Sequence, residues 1–164
     1  MKQYKWLTGV KLDLLANGFS AQFKRIGVDT TGTAAEMLCT QLVGDDDPAV
    51  VDLGLVPLMD LVPRQSEPCD QIISRGLGWG LKHTPLWLGP QLRILYWEQQ
   101  PHHEILWIAS RPILVAGRQY GWVLTRNNQA PWLSNFLYTG RGMRDLARIK
   151  VVYAIPPEPT EEAA

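Results

Sequence analysis

The second half of the chain contains five short apolar runs that are rich in branched and aromatic residues and bounded by Gly, Pro or Asn. Such runs are typical of β-strands. The connections between them are too short for parallel crossovers, so we expect a mostly antiparallel sheet, with a tight hairpin turn at residues 116–119. The predicted strands are LRILYW (92–97), EILWIAS (104–110), ILVA (113–116), QYGWVLT (119–125) and RIKVVYAI (148–155).

The first half of the chain has apolar residues at helical spacing. Thr33 and Glu36 form a capping box, in which each side chain can bond a backbone N–H at the start of a helix. Apolar residues then recur at helical spacing as far as Gly44, a residue type that commonly ends helices. A second helical pattern runs from residue 10 to residue 26. Asn17-Gly18 divides it, which predicts two short helices or a helix and a turn.

Two further helical segments are predicted from shorter signals. The three adjacent carboxylates at residues 45–47 lack the alternate spacing and the glycine of a calcium-binding loop. Asp47 as an N-cap ahead of Pro48 explains them better and predicts a helix that the later prolines limit to about two turns. Residues 131–147 are predicted to supply one or two short helices.

These elements predict an α+β fold, in which a helical N-terminal part packs on a mostly antiparallel four- or five-stranded sheet from the C-terminal half. Residues 1–155 form a single domain in this interpretation, because 164 residues suit one hydrophobic core. Residues 156–164 are predicted to form a flexible acidic tail.

The composition places few limits on function. A hydrophobic share of 46% and a charged share of 20% are typical of a globular chain. Because no apolar run approaches the roughly 20 residues that cross a bilayer, and no secretory signal is recognisable, we expect no membrane association. Cys39 and Cys69 have no CxxC spacing, which predicts free buried thiols and a cytoplasmic location.

The net charge of zero hides an uneven distribution. Residues 75–150 carry ten basic side chains against three acidic ones, and they contain six of the seven tryptophans. Basic side chains neutralise phosphates and exposed tryptophans stack on bases, so this segment is a candidate for binding nucleic acid. Tryptophan, tyrosine and arginine are also the residue types that dominate protein–protein hot spots. The pattern therefore leaves both kinds of partner open.

Residues 75–82, RGLGWGLK, do not match a known glycine-rich motif. A dinucleotide fingerprint would need Gly at position 81, and a P-loop would need Gly before Lys82 and Ser or Thr after it. In an extended segment the alternating glycines would form one bare face, on which a ligand or another backbone could lie, flanked by Arg75 and Lys82. A flexible loop or an irregular edge strand is the simpler interpretation.

His102-His103-Glu104 raises the possibility of a metal or proton-transfer site. In a strand two adjacent histidines point to opposite faces, and the chain has no HxxxH or HExxH spacing. The favoured interpretation is a polar hairpin loop over residues 99–103, with metal binding and proton transfer as alternatives. We therefore expect no metal and no cofactor.

No local motif for nucleophilic catalysis is present, because Ser134 lacks a GxSxG setting and Cys39 has no nearby base. Since catalytic triads are spatial, this weighs against an enzyme without excluding one. The sequence favours a non-catalytic binding protein with an aromatic- and arginine-rich surface for a protein partner or a second copy of itself. The alternatives are nucleic-acid binding through residues 75–150 and a small hydrolase or transferase. The predicted binding residues are Arg75, Trp79, Lys82, Arg118, Arg126, Arg141 and Arg144.

Overall fold

The structure, a computed structural model, describes residues 2–13, 18–62, 67–141 and 146–159. These residues contain eight β-strands and five α-helices. The strands are β1 (Lys5–Lys11), β2 (Asp29–Thr30), β3 (Val50–Pro57), β4 (Ile105–Ile108), β5 (Ile113–Val115), β6 (Arg118–Arg126), β7 (Pro131–Leu137) and β8 (Ile149–Ile155). The helices are α1 (Gly18–Ile26), α2 (Gly32–Leu38), α3 (Leu58–Leu61), α4 (Cys69–Gly78) and α5 (Leu88–Tyr96).

All eight strands belong to one mixed sheet. Its order is β1-β3-β8-β4-β6-β7-β2, and β5 lies outside this path and pairs with β6. Strands β4 and β8 run parallel, as do β2 and β7. The remaining pairs are antiparallel.

Helices cover both faces of this sheet. Leu106 and Ile108 of β4 belong to a core that also contains residues of α1, α2 and α5. The intervening Trp107, followed by Ala109, belongs to a second core with residues of α3 and α4. Because successive side chains of a strand alternate between faces, a strand covered on both sides reads as a nearly continuous apolar run. The central strands β4 and β8 have that character.

The prediction of the sheet is wrong in the number of strands, in their pairing and in the part of the chain from which they come. The strands predicted at 104–110, 113–116, 119–125 and 148–155 are present, but the sheet has eight strands and is mixed. Strands β1 and β3 come from the half that was predicted to be helical. Residues 50–57 lie in the sheet interior between β1 and β8, so they lack the polar–apolar alternation of a half-buried strand.

In the second half, one segment that was predicted as a strand is a helix, and one segment that was predicted as helical is a strand. Residues 92–96 belong to helix α5, which is buried from Leu88 to Arg93 and therefore shows no polar face in this part. Residues 131–137 form strand β7 instead of a helix, with Pro131 at the first strand position, which tolerates the missing N–H. Residues 142–145 lie outside the described residues.

The predicted helix boundaries in the first half also need correction. Thr31, not Thr33, caps α2 by accepting a hydrogen bond from the backbone N–H of Ala34 at 3.2 Å, and the helix ends at Leu38. The helix predicted after Asp47 is absent, because Asp47 accepts from the backbone N–H of Gly44 at 2.7 Å and the chain enters β3. Of the predicted helical pattern 10–26, only residues 18–26 are helical, and residues 14–17 lie outside the described residues.

The alternating glycines at 76, 78 and 80 do not form an extended bare face. Residues 69–78 are helix α4, so that expectation is wrong, and the simpler interpretation of a flexible loop or an irregular edge strand is wrong for residues 75–78. Gly76 packs directly against the ring of Tyr153 in β8, which a β-carbon at position 76 would overlap, whereas a β-carbon at Gly78 would meet open space. The close approach therefore serves the packing of α4 on the sheet.

The hairpin turn between β5 and β6 is confirmed. Val115 pairs with Arg118 across a two-residue loop, Ala116-Gly117. Both loop residues have positive φ, 48° and 78°, as a type I′ turn requires.

Candidate functional site at the carboxyl ends of β4 and β8

The parallel strands β4 and β8 separate at their carboxyl ends, and another segment of the chain bridges them. Lys82 exchanges two backbone hydrogen bonds with Ala154, with N···O distances of 2.9 and 3.0 Å. The backbone N–H of Thr84 donates to the carbonyl of Ala109 at 3.0 Å. A crevice at the carboxyl ends of parallel strands is where ligands commonly bind in α/β sheets.

The groove at this position, here called the strand-end groove, has a volume of about 820 Å³. Its lining comes from four stretches of chain that are far apart in the sequence: residues 41–52, 82–86, 111 and 154–157. Much of the wall is apolar or proline: Val43, Pro48, Val50, Pro85, Leu86, Ile155, Pro156 and Pro157. The charged side chains on the lining are Asp46, Asp47, Asp52, Lys82 and Arg111.

The cations and the carboxylates of the groove differ in how they are held. Lys82 and Arg111 are exposed, and neither makes an ion pair with any carboxylate that the structure describes. Asp52 accepts from the backbone N–H of Gly9 at 2.8 Å, and Asp47 is held by Gly44. Two of the three carboxylates therefore accept a backbone hydrogen bond through one oxygen each, while neither cation has an ion-pair partner among the described residues.

His83 lies in the groove with a defined tautomer. Its Nδ1 is 3.1 Å from the carbonyl oxygen of Ala109. Because a carbonyl oxygen only accepts, Nδ1 must carry the proton in the neutral ring, which leaves the lone pair on Nε2. No described residue bonds that Nε2, so it can accept a proton or a hydrogen bond.

The structure brings few of the predicted binding residues together. Lys82 is the one that lines the strand-end groove. Arg118 and Arg126 occupy opposite ends of β6, about 26 Å apart for eight residue steps. Arg141 is exposed beyond β7, and Arg144 lies outside the described residues.

Arg75 and Trp79 lie on and just after helix α4. Arg75 donates to Glu67 Oε1 at 2.6 Å and to the carbonyl of Leu61 at 2.7 Å, so its charge is already paired. Trp79 is 43% exposed and stacks on Tyr4 with ring centroids 6.1 Å apart. Tyr4 is half-buried, and tyrosine and tryptophan are both enriched at contact surfaces.

The two adjacent histidines lie in a turn, but not in a hairpin between strands. The backbone N–H of Glu104 donates to the carbonyl of Pro101 at 3.1 Å, and the loop joins helix α5 to β4. The prediction of a hairpin loop over residues 99–103 is wrong, since the preceding residues 92–96 are helical. Among the described residues no group of three or more His, Cys, Asp or Glu side chains is arranged to hold a metal ion.

Cys39 and Cys69 are both free thiols, and Cys69 is buried whereas Cys39 is exposed. The expectation that both would be buried is therefore wrong for Cys39. No helix within the described ranges is long and apolar enough to cross a membrane.

Sequence reasoning missed most of the groove. His83, Arg111 and Asp52 were not among the predicted binding residues. The local sequence carries no signal for them, because the groove exists only once four distant segments meet at the strand ends. The position could have been suspected only from a parallel β4–β8 pair, which the predicted antiparallel sheet did not contain.

Comparisons with protein-family models, with curated proteins and with solved structures found no match to this chain.

Proposed function

We propose that this chain is a non-catalytic binding protein whose strand-end groove holds an extended acidic segment of a protein partner. The observation that carries the proposal is the pair of exposed cations, Lys82 and Arg111, set in a groove with apolar and proline-rich walls. Carboxylates are natural partners for such cations, and arginine can bind a carboxylate through two parallel hydrogen bonds.

The size of the groove supports a peptide segment over a small anion. Its volume of about 820 Å³ lies near the upper end of the range of 300–1,000 Å³ for small-molecule sites. The apolar walls supply area that can be buried, while the charged groups set the orientation of the bound segment. A mixed lining of this kind suits a segment with alternating acidic and apolar residues.

The exposed Trp79, stacked on the half-buried Tyr4, lies close enough to serve the same partner. Trp79 precedes Lys82 by three residues, and an extended chain of three residues spans at most about 11 Å. Tryptophan is among the residues that most often dominate binding energy. We include Trp79 as the flank of the proposed interface. We also propose a reducing compartment, since Cys39 and Cys69 are both unpaired.

A displayed library of random peptides, followed by calorimetry on the selected sequences, tests the proposal. We expect selected peptides to be enriched in Asp, Glu and apolar residues. The double variant Lys82→Ala/Arg111→Ala should bind them about tenfold more weakly, because each exposed ion pair contributes about 0.2–1 kcal/mol. The matched control is Lys24→Ala/Arg118→Ala, which removes two exposed cations elsewhere and should leave the Kd unchanged. Equal losses in both double variants would refute the groove as the binding site.

A small hydrolase is the second candidate, and the geometry of His83 favours it. Its Nε2 can take a proton from a water molecule while Lys82 and Arg111 hold an anionic substrate. Assays with nitrophenyl esters and nitrophenyl phosphate test this candidate. Turnover that is lost in His83→Ala would support a hydrolase, and turnover that survives in His83→Ala would exclude His83 as its base.

A further inference from the structure

The charged residues of the strand-end groove are divided by sign between separate stretches of its lining. The carboxylates Asp46, Asp47 and Asp52 all belong to the stretch 41–52, whereas Lys82 and Arg111 belong to the segments that bridge and extend the strand ends. A molecule bound in the groove therefore meets negative charge from one part of the lining and positive charge from another.

The end of β8 separates these two parts and forms the floor of the groove. Ala154 pairs with Leu53 of β3 on one side and with Lys82 on the other. Because neighbouring strands lie about 4.8 Å apart, the backbones at Lys82 and Leu53 are about 10 Å from each other. Pro156 and Pro157 continue the floor, and their lack of an N–H prevents them from extending the ladder with β3. The floor therefore has room for one extended chain above it.

The two cations lie on the same side of this floor. Thr84 bridges Ser110 in the parallel direction, so the segment that carries Lys82 runs beside the residues that lead to Arg111. Both side chains are exposed, and neither makes an ion pair with a described carboxylate. Lys82 and Arg111 can therefore contact the same bound segment.

The three carboxylates differ in how they are engaged. Asp47 and Asp52 each accept a hydrogen bond from a backbone N–H, that of Gly44 and that of Gly9 respectively. Asp46 is exposed in the turn before β3, and its carboxylate has no hydrogen bond and no ion pair with any residue that the structure describes. Asp46 is therefore the carboxylate of the groove that is most open to a ligand.

A segment with acidic side chains alone matches only the basic side of the groove, because like charges placed close together repel. A basic side chain on the segment would replace that repulsion by an ion pair with Asp46. Successive side chains of an extended chain point to opposite sides. Acidic side chains at positions i and i+2 can thus face Lys82 and Arg111 while a basic side chain at i+1 faces Asp46.

We propose that the strand-end groove selects an extended segment of alternating charge, in which a basic residue between two acidic residues pairs with Asp46. This inference rests on the peptide-binding function proposed above and adds a basic residue to the acidic partner named there. It accounts for the charges of both signs on the lining of the groove.

Titration of the wild-type protein with three acetylated nine-residue peptides tests the inference. The peptides share their apolar flanks and differ only in their central residues, which are Glu-Lys-Glu, Glu-Gln-Glu or the permuted Lys-Glu-Glu. Nuclear magnetic resonance follows the amides of residues 44–47, 82–84 and 111. We expect the Glu-Lys-Glu peptide to bind about threefold more tightly than either of the others, because it alone gains an exposed ion pair without losing one.

Two adjacent carboxylates supply matched variants. Asp46→Asn should remove the advantage of lysine, so that the Glu-Lys-Glu and Glu-Gln-Glu peptides bind equally. Asp45→Asn changes an exposed carboxylate of the same turn that does not line the groove, and it should keep the preference for lysine. Asp46→Lys should reverse the preference, since two cations would then meet.

The possible failures of the inference and of the proposed function give different results. Equal binding of the Glu-Lys-Glu and Glu-Gln-Glu peptides to the wild-type protein would overturn the inference and leave an acidic partner in place. A preference for lysine that persists in Asp46→Asn would overturn it too, as would equal binding of the permuted peptide. If none of the peptides shifts the groove amides at millimolar concentration, the proposed function fails together with the inference.

Discussion

The two ends of the parallel strands β4 and β8 hold positive charge in opposite ways. At the carboxyl ends, Lys82 and Arg111 stand exposed in a wide groove and have no ion-pair partner among the described residues. At the amino ends, Arg93 is fully buried and Lys150 pairs with the buried Glu104. Exposed charges contribute little to stability and are free to bind, whereas buried charges are costly to leave unpaired.

This difference suggests a division of roles within one sheet. Lys82 and Arg111 of the strand-end groove can change with little effect on folding, because water solvates their charges. The loop before β4, by contrast, is fixed to the sheet by buried groups: Gln100 donates to the carbonyls of Glu104 and Leu124 at 3.1 and 3.0 Å. Arg126 adds bonds to the carbonyls of Glu98 and Gln100. We therefore expect the loop before β4 to be more rigid than the strand-end groove.

The largest effect should come from Arg93→Ala. Truncation leaves the carbonyls of Thr125 and Trp132 without their donor and opens a cavity, so we expect a loss of about 3–5 kcal/mol in the free energy of unfolding. Arg93→Met should cost less, because methionine fills the volume and removes the buried charge. Urea unfolding followed by tryptophan fluorescence measures both. Arg118→Ala, an exposed arginine, is the control and should lie within about 0.5 kcal/mol of wild type.

The next effect concerns the helix that leads into the strand-end groove. Gly76→Ala should lower the free energy of unfolding by about 1–3 kcal/mol, because the added methyl group meets the ring of Tyr153. Gly78→Ala is the matched control in the same helix and should stabilise by up to about 1 kcal/mol, since alanine favours helix and meets open space. Similar results for both substitutions would contradict the close packing of α4 on β8.

The sequence was informative where a short run of branched and aromatic residues is bounded by turn residues. β4, β6 and β8 were predicted in this way although both of their faces are covered, and the Ala116-Gly117 turn was predicted from its glycine, which has a positive φ. Helix α5 and strand β3 were misassigned, because a short buried apolar run has no polar residues to show whether its period is that of a helix or a strand. The mixed pairing was missed since it depends on where distant segments meet.

The candidate site and the buried charges were harder to predict for a related reason. Nothing in LRILYW distinguishes Arg93 from an exposed arginine, because its burial arises from the packing of α5 on β6 and β7. Lys82 was predicted as a binding residue, but apart from residues 83–86 the segments that meet it in the groove lie 29 or more residues away along the chain. Charge counts along the chain gave no indication of which basic residues share a site.

Substitutions of Lys150 and Lys82 compare the two ends of the parallel strands β4 and β8 directly. Lys150→Met leaves Glu104 buried without its cation and should cost about 1–2 kcal/mol, less than a fully buried pair because the Lys150 side chain is 39% exposed. Lys82→Met should change stability by less than about 0.5 kcal/mol. In Lys150→Met/Glu104→Gln most of the loss should be recovered. Equal costs for the two lysine substitutions in urea unfolding would remove the distinction drawn between the ends.

The smallest expected effect is a dependence of stability on pH, caused by Tyr96 near the amino ends of β4 and β8. Burial, followed by the charge of Glu104, raises the pKa of Tyr96 to about 12 in the folded protein, against 10.0 for the unperturbed group. The unfolded chain therefore loses this proton first, and wild-type stability should fall relative to Tyr96→Phe as the pH rises from 10 to 12. The change should be slight, since Tyr96 is only partly buried. Urea unfolding of both proteins at pH 8, 10 and 11 measures it, and a constant difference across that range would mean that folding does not raise the pKa of Tyr96.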